Sequence, residues 1–184
     1  LVAAIVRVLV MGSIKQRCYC ANAIVQLSHK DTRAKKAIVS SNGAVKAICS
    51  LLCHGVACNI GSAKRDSVAA LCNLANTEDV PTTLVNSSGS VEAMLDIISY
   101  KPVEADNDAL EITLVTMSRL CKACKHFLKN LQEREVHMKL VPLIKGAVSA
   151  YVKHHKYGVR GEAACLLVDP RLEGAMRSIA IIRL

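Results

Sequence analysis

Tryptophan is absent from the 184 residues, and there are only one phenylalanine and four tyrosines. Single-stranded nucleic acid is held by stacking bases on aromatic rings, so a stacking platform has almost nothing to be built from. Long apolar runs are missing too. The opening run, residues 1–9, is about half the ~20 apolar residues that a helix needs to cross a bilayer, and Arg7 interrupts it. It has neither the basic start nor the cleavage pattern of a secretory signal. No segment keeps a period-two alternation, so no strands are expected. Gly55 and Gly61 lack the Gly-Lys-Ser/Thr ending of a phosphate loop. No nucleophile elbow or local cysteine signature accompanies the six histidines. The expectation is therefore no catalytic residue, no cofactor and no enzyme.

What the chain does have is apolar content. Hydrophobic residues make up 52%, and the mean hydropathy is +0.30. That excludes disorder and is high for a free-standing domain. It fits a piece whose ends are cut surfaces, with more chain expected on both sides. The sequence opens in one apolar run and closes in another, residues 179–184. Nine cysteines, an odd number, with no secretory signal point to a reducing compartment. The expected location is intracellular: cytoplasm first, with nucleus, cytoskeleton or cilium as alternatives. A net charge of +9 selects acidic partners as a class, whether acidic peptides, acidic protein tails or nucleic acid.

The strongest signal is an internal repeat. Residues 67–75 read Ser-Val-Ala-Ala-Leu-Cys-Asn-Leu-Ala, and Val68, Leu71, Cys72 and Ala75 share one helical face. Residues 20–28, 113–121 and, more weakly, 161–168 repeat this pattern at intervals of roughly 46 residues. Ile24, Leu71 and Met117 correspond, as do Leu27, Leu74 and Leu120. A second helix recurs at the same interval: residues 44–52 align with 90–98, with the opening run and, in degraded form, with 140–144. A shorter helix precedes these, at residues 35–39 and 80–85, and each runs into a Ser/Asn/Gly turn ending at Gly43 or Gly89. Ser13 and Gln16 have capping-box spacing, residues 106–108 offer N-cap oxygens before Ala109, and Pro81 suits a first turn. The unit is short helix, glycine turn, long helix, link, long helix. Residues 53–66 and 99–112 are expected as long links, and Pro142 should kink or delay the later second helix.

These residues resemble the armadillo family, with HEAT repeats as the close competitor. The likeness is carried by Asn-Gly-Ala-Val-Lys-Ala-Ile-Cys-Ser-Leu-Leu at 42–52 and the Ala-Leu-Cys-Asn-Leu helix at 67–75. It keeps register over residues 1–121 and weakens beyond. It implies an all-α fold, a right-handed α-solenoid of three-helix repeats forming one domain over 1–184. The approximate units are 1–30, 31–76, 77–121 and 122–168, with a further one starting at 169–184. In this family the third helices line a concave groove for extended peptides, and an asparagine ladder holds the peptide backbone. The ladder positions here are Gln26, Asn73, Arg119 and Leu167. One turn earlier, where importin-alpha-type proteins place Trp, stand Asn22, Ala69, Val115 and Ala163, so a nuclear-signal receptor is not implied. Arg65, Arg119, Lys122 and Arg160 fall near the groove line, which resembles the catenin type with acidic ligands.

The expected function is thus a protein-interaction scaffold. Its partner-binding candidates are Asn22, Gln26, Arg65, Asn73, Arg119, Lys122 and Arg160. Alternatives are a structural segment of a large cytoskeletal, axonemal or multi-subunit assembly, and a nucleic-acid-binding solenoid. The ladder residues do not make the repeated polar pairs of a base-reading code. Cys121, Cys124 and His126 have partial metal-ligand spacing, but a structural zinc needs four ligands, and no metal is expected. The basic clusters at 30–36 and 153–156 read as solvated helix ends or loops, with contact to nucleic acid or acidic tubulin tails as the alternative. Cys18, Cys20, Cys49, Cys72 and Cys165 read as small packing residues, and Met94 and Met117 as core.

Overall fold

A computed structural model describes residues 1–77, 79–99, 107–125, 127 and 129. Among these the chain is all-helical. The eight helices are α1 (Val2–Met11), α2 (Ile14–Ser28), α3 (Thr32–Ser40), α4 (Ala44–Ala57), α5 (Gly61–Leu74), α6 (Asp79–Asn86), α7 (Ser90–Ser99) and α8 (Asn107–Ala123). The repeats at 140–144 and 161–168, the N-cap candidate Asp106, and Pro142, Arg160, Ala163, Cys165 and Leu167 lie outside the described residues.

Helix boundaries follow local chemistry. Ser13 and Gln16 form the expected capping box, and Ser13 N–H donates to Gln16 Oε1 at 2.8 Å. Asp31, which the sequence pattern did not single out, accepts from the backbone N–H of Arg33 and Ala34 at 2.8 and 3.1 Å and starts α3. Gly43 and Gly89 take φ of 80° and 79°, a left-handed backbone that glycine adopts without a Cβ penalty. They turn α3 into α4 and α6 into α7 at matching points of successive units.

Residues 53–66 are not the long link expected from the sequence. α4 continues to Ala57, and only Cys58, Asn59 and Ile60 separate it from α5. The link closes as a Schellman motif: Ile60 N–H donates to Gly55 O at 2.7 Å and Asn59 N–H to Val56 O at 3.1 Å. Asn59 supplies the left-handed residue, with φ of 53°, a conformation that Asn tolerates better than most. Gly55 is buried inside α4. A Cβ there would stand 2.8 Å from Ala63 Cβ and 2.9 Å from Lys64 N. Its bareness lets α5 fold back against α4.

The helices stack in two rows. α1, α4 and α7 pack in succession on one side, and α2, α5 and α8 on the other, while α3 and α6 pack against the second helices that follow them. The core lies between the rows. Leu9, Ile24, Ile48, Leu51, Leu52, Leu71, Leu74, Leu84 and Met94 are fully buried there, and Met117 is buried among them. Each large side chain contributes about 1.5–3 kcal/mol through burial. No single described helix is long and apolar enough to span a membrane. Together α3 and α4 reach that length and composition, but they turn by 85° at their junction, and their buried residues belong to the core.

Candidate interaction groove

The row α2–α5–α8 carries the candidate partner-binding residues. Its inner faces hold Ile24, Leu71 and Met117, all buried. Helical periodicity then turns the next residues outward. Asn22, Gln26, Arg65, Arg119 and Lys122 are exposed, and Asn73 is half-buried. Three successive helices therefore present the predicted ladder positions Gln26, Asn73 and Arg119 on one side of the row. Ala69 and Val115, one turn earlier, are half-buried. Arg160 falls outside the described residues.

Two residues at predicted ladder positions bond to the preceding helix of the row. Asn73 Nδ2 donates to Val25 O of α2 at 3.1 Å. Arg119 Nη1 donates to Cys72 O of α5 at 3.1 Å. In both cases the donor at the ladder position reaches back to the residue just before the preceding ladder position. Both carbonyls lie in the last turn of their helix, where backbone partners run out and the negative end of the helix dipole gathers. These side chains tie each third helix to the one before it. The sequence pattern could not reveal these contacts, because the acceptors are main-chain atoms of another repeat.

The charge on α2 and α5 is one-sided, whereas α8 carries Asp108 and Glu111 beside Arg119 and Lys122. α2 carries no acidic residue, and α5 carries only Asp66. Asp66 is 6% exposed, and its Oδ1 accepts from Arg65 Nε at 3.1 Å. A buried carboxylate is costly unless paired, so this contact neutralises it. The basic residues Lys15 and Lys122 stand on the same three helices. A hollow of about 490 Å³ opens between α2 and α5, lined among others by Lys15, Tyr19, Asn22, Ser62, Arg65 and Asp66. Sequence periodicity gave no sign of it, since its walls come from two repeats.

The described cysteines are free thiols. Cys18, Cys49, Cys72 and Cys121 are buried, Cys20, Cys53 and Cys124 half-buried, and Cys58 exposed. Burial raises the Cys49 thiol above its ordinary value, against smaller lowering contributions from hydrogen bonds with Ser90 and Ser87. Burial raises Cys20 as well. Cys58 Sγ lies 3.9 Å from His54 Nδ1 on α4. Among the described residues, no three His, Cys, Asp or Glu side chains gather where they could hold a metal.

No protein-family model matches this chain, and no curated protein matches it at a significant level. Solved structures do. One engineered protein, known from its crystal structure, superposes with a TM-score of 0.67 at 18% identity over 90% of this chain. The chain spans 60% of that protein's length. A second engineered protein gives a TM-score of 0.65 at 14% identity, covering 97% of this chain and 87% of its own. At such identities the likeness concerns fold alone. Together with the two stacked rows, it makes this chain a helical repeat protein.

Proposed function

We propose that the chain is an armadillo-type, right-handed solenoid that works as a protein-interaction scaffold and not as a catalyst. In this reading the α2–α5–α8 face is its groove, and the ligand is an extended, acidic protein segment. One observation carries it: three consecutive repeats turn amide and basic side chains to the same face, and the one acidic residue among α2 and α5 is buried and paired. An extended chain needs side-chain amides to satisfy its backbone groups. Gln26 supplies a free amide, and Asn73 keeps its carbonyl oxygen after donating to Val25. The near absence of aromatic residues favours protein over nucleic acid as the ligand. A reducing, intracellular setting suits the free thiols.

The test uses the full chain, immobilised, and two degenerate peptide pools, one rich in Glu and one neutral. Wild type should retain the acidic pool several-fold over the neutral one. Reversal of Arg65, Arg119 and Lys122 to Glu should abolish the preference, with circular dichroism showing that helicity is kept. Equal retention of both pools by wild type refutes the groove.

A second reading rests on α1. Leu1 is 87% exposed and Met11 80%, and Val8 and Val10 also face solvent. An apolar face of this kind suits a segment built into a larger assembly, where other elements cover it. Binding partners that survive the triple reversal but are lost on Val8→Asp would favour that reading.

A further inference from the structure

We propose that the hollow between α2 and α5 is an anchor site for one phosphorylated side chain, a phosphate monoester borne by the segment that docks in the groove. This rests on the groove reading and sharpens it. The first observation is the Arg65–Asp66 pair in its lining. Asp66, the one acidic residue of α2 and α5, is almost wholly buried. Its carboxylate accepts from Arg65 Nε at 3.1 Å, while the Arg65 side chain remains 50% exposed. The inner edge of the guanidinium is thereby fixed. Its terminal nitrogens hold no partner among the described residues. A planar fork held from behind is the geometry that recognises phosphate oxygens in a bidentate manner.

The second observation is the opposite wall. Lys15, Tyr19 and Asn22 of α2 are exposed and line the same hollow, and Ser62 of α5 lines it beside Arg65. α2 has no acidic residue to neutralise Lys15. After Asp66 cancels Arg65, one positive charge remains uncompensated. The hollow, at about 490 Å³, is far larger than a water site. The donors on its two walls outnumber what a single carboxylate can use. A phosphate monoester carries about −1.5 to −2 charges and three strong acceptor oxygens, and it can engage both walls. A phosphodiester backbone is singly charged and would be tracked along a surface, without entering a pocket.

Three nonapeptide pools, degenerate except for a central phosphoserine, glutamate or serine, are passed over the immobilised full chain. Wild type should retain the phosphoserine pool at least fivefold over the serine pool and clearly over the glutamate pool. Arg65→Gln should bring the phosphoserine-to-serine ratio to near one. Arg65→Lys keeps the charge but loses the fork, and should lower the ratio several-fold. Asp66→Asn, which removes the charge that holds Arg65 in place, should lower the ratio while Lys122→Gln lowers retention of all pools alike. Melting curves establish that each variant is folded, and Arg65→Lys carries the test if Asp66→Asn is not. Equal retention of the phosphoserine and serine pools overturns the anchor, as does a preference that survives Arg65→Gln. If acidic pools bind without preference for phosphate, the groove stands and the anchor falls; if no pool binds, both fall.

Discussion

Reversing Arg119 should do more than change a binding surface, because its guanidinium closes the end of α5. The bond from Arg119 Nη1 to Cys72 O is 3.1 Å. A hydrogen bond of this kind contributes about 1 kcal/mol net, and the exposure of Arg119 holds it near that value. Arg119→Ala should therefore cost about 1 kcal/mol. Arg119→Glu should cost about 0.3–1 kcal/mol more, since a carboxylate would face the negative end of the α5 dipole. Arg119→Lys keeps the charge on a flexible stem and should fall between wild type and Ala. For a chain of this length, each kcal/mol lowers the melting temperature by roughly 2–4 °C. Thermal denaturation by circular dichroism would rank the variants wild type, Lys, Ala, Glu. The gap between Ala and Glu should narrow in 0.5 M salt, where the Debye length is only about 4–5 Å. If the Glu variant melts with wild type, the capping role is refuted, and the residue would serve ligand binding alone. An unchanged order in high salt would refute the dipole part only.

Leu71, fully buried at the centre of the stacked rows, should not tolerate Asp. An unpaired buried charge costs several kcal/mol, and a folded, unshifted melting profile would overturn the register of the repeat. Gly55→Ala places a methyl 2.8 Å from Ala63 Cβ and should destabilise by about 1–3 kcal/mol through overpacking of α4 on α5, read by urea denaturation. Among the described cysteines, Cys58 should react first with iodoacetamide under native conditions, with Cys18, Cys49, Cys72 and Cys121 protected until unfolding; mass spectrometry of the labelled peptides gives the order. Burial raises the Cys49 thiol above its ordinary value of 9.0, so the unfolded chain releases this proton at lower pH than the folded one. Stability linked to Cys49 is whole below pH 9 and is lost as pH rises through the folded value. Melting between pH 8 and 10 should show a fall that is shallower in Cys49→Ala, and an equal slope in both would refute the assignment.

Particular elements show how much was legible beforehand. The i, i+3, i+4, i+7 spacing in residues 67–75 and its echoes near 46-residue intervals correspond to α5, α2 and α8. The turns ending at Gly43 and Gly89 stand where the pattern put them, with both glycines at positive φ. Residues 53–66 were misjudged as a link. Without a proline or a polar cluster to stop it, the chain could keep helical bonds through Ala57. The three-residue turn at 58–60 depends on Asn59 in the left-handed region and on the missing Cβ of Gly55. Those are effects of close approach between two helices, which a one-dimensional pattern does not record. Of the site candidates, Asn22, Gln26, Asn73 and Arg119 came from the armadillo resemblance, and helical periodicity sets them off the fully buried face of their helices. Arg65 was placed too, but its pairing with Asp66 was not, because neighbours in sequence on a helix do not ordinarily face one another.

Helicity, the repetition of units and the apolar face of each helix are already written along the chain. Those properties are local or periodic: they follow from propensity, capping and side-chain spacing within one unit. Packing between repeats settles which backbone carbonyls Asn73 and Arg119 reach, how tightly α5 folds onto α4, and where the hollow between α2 and α5 opens. Each of these depends on atoms from two repeats meeting in space at a few ångströms. Stacking fixes such distances, and the order of residues along one helix does not contain them.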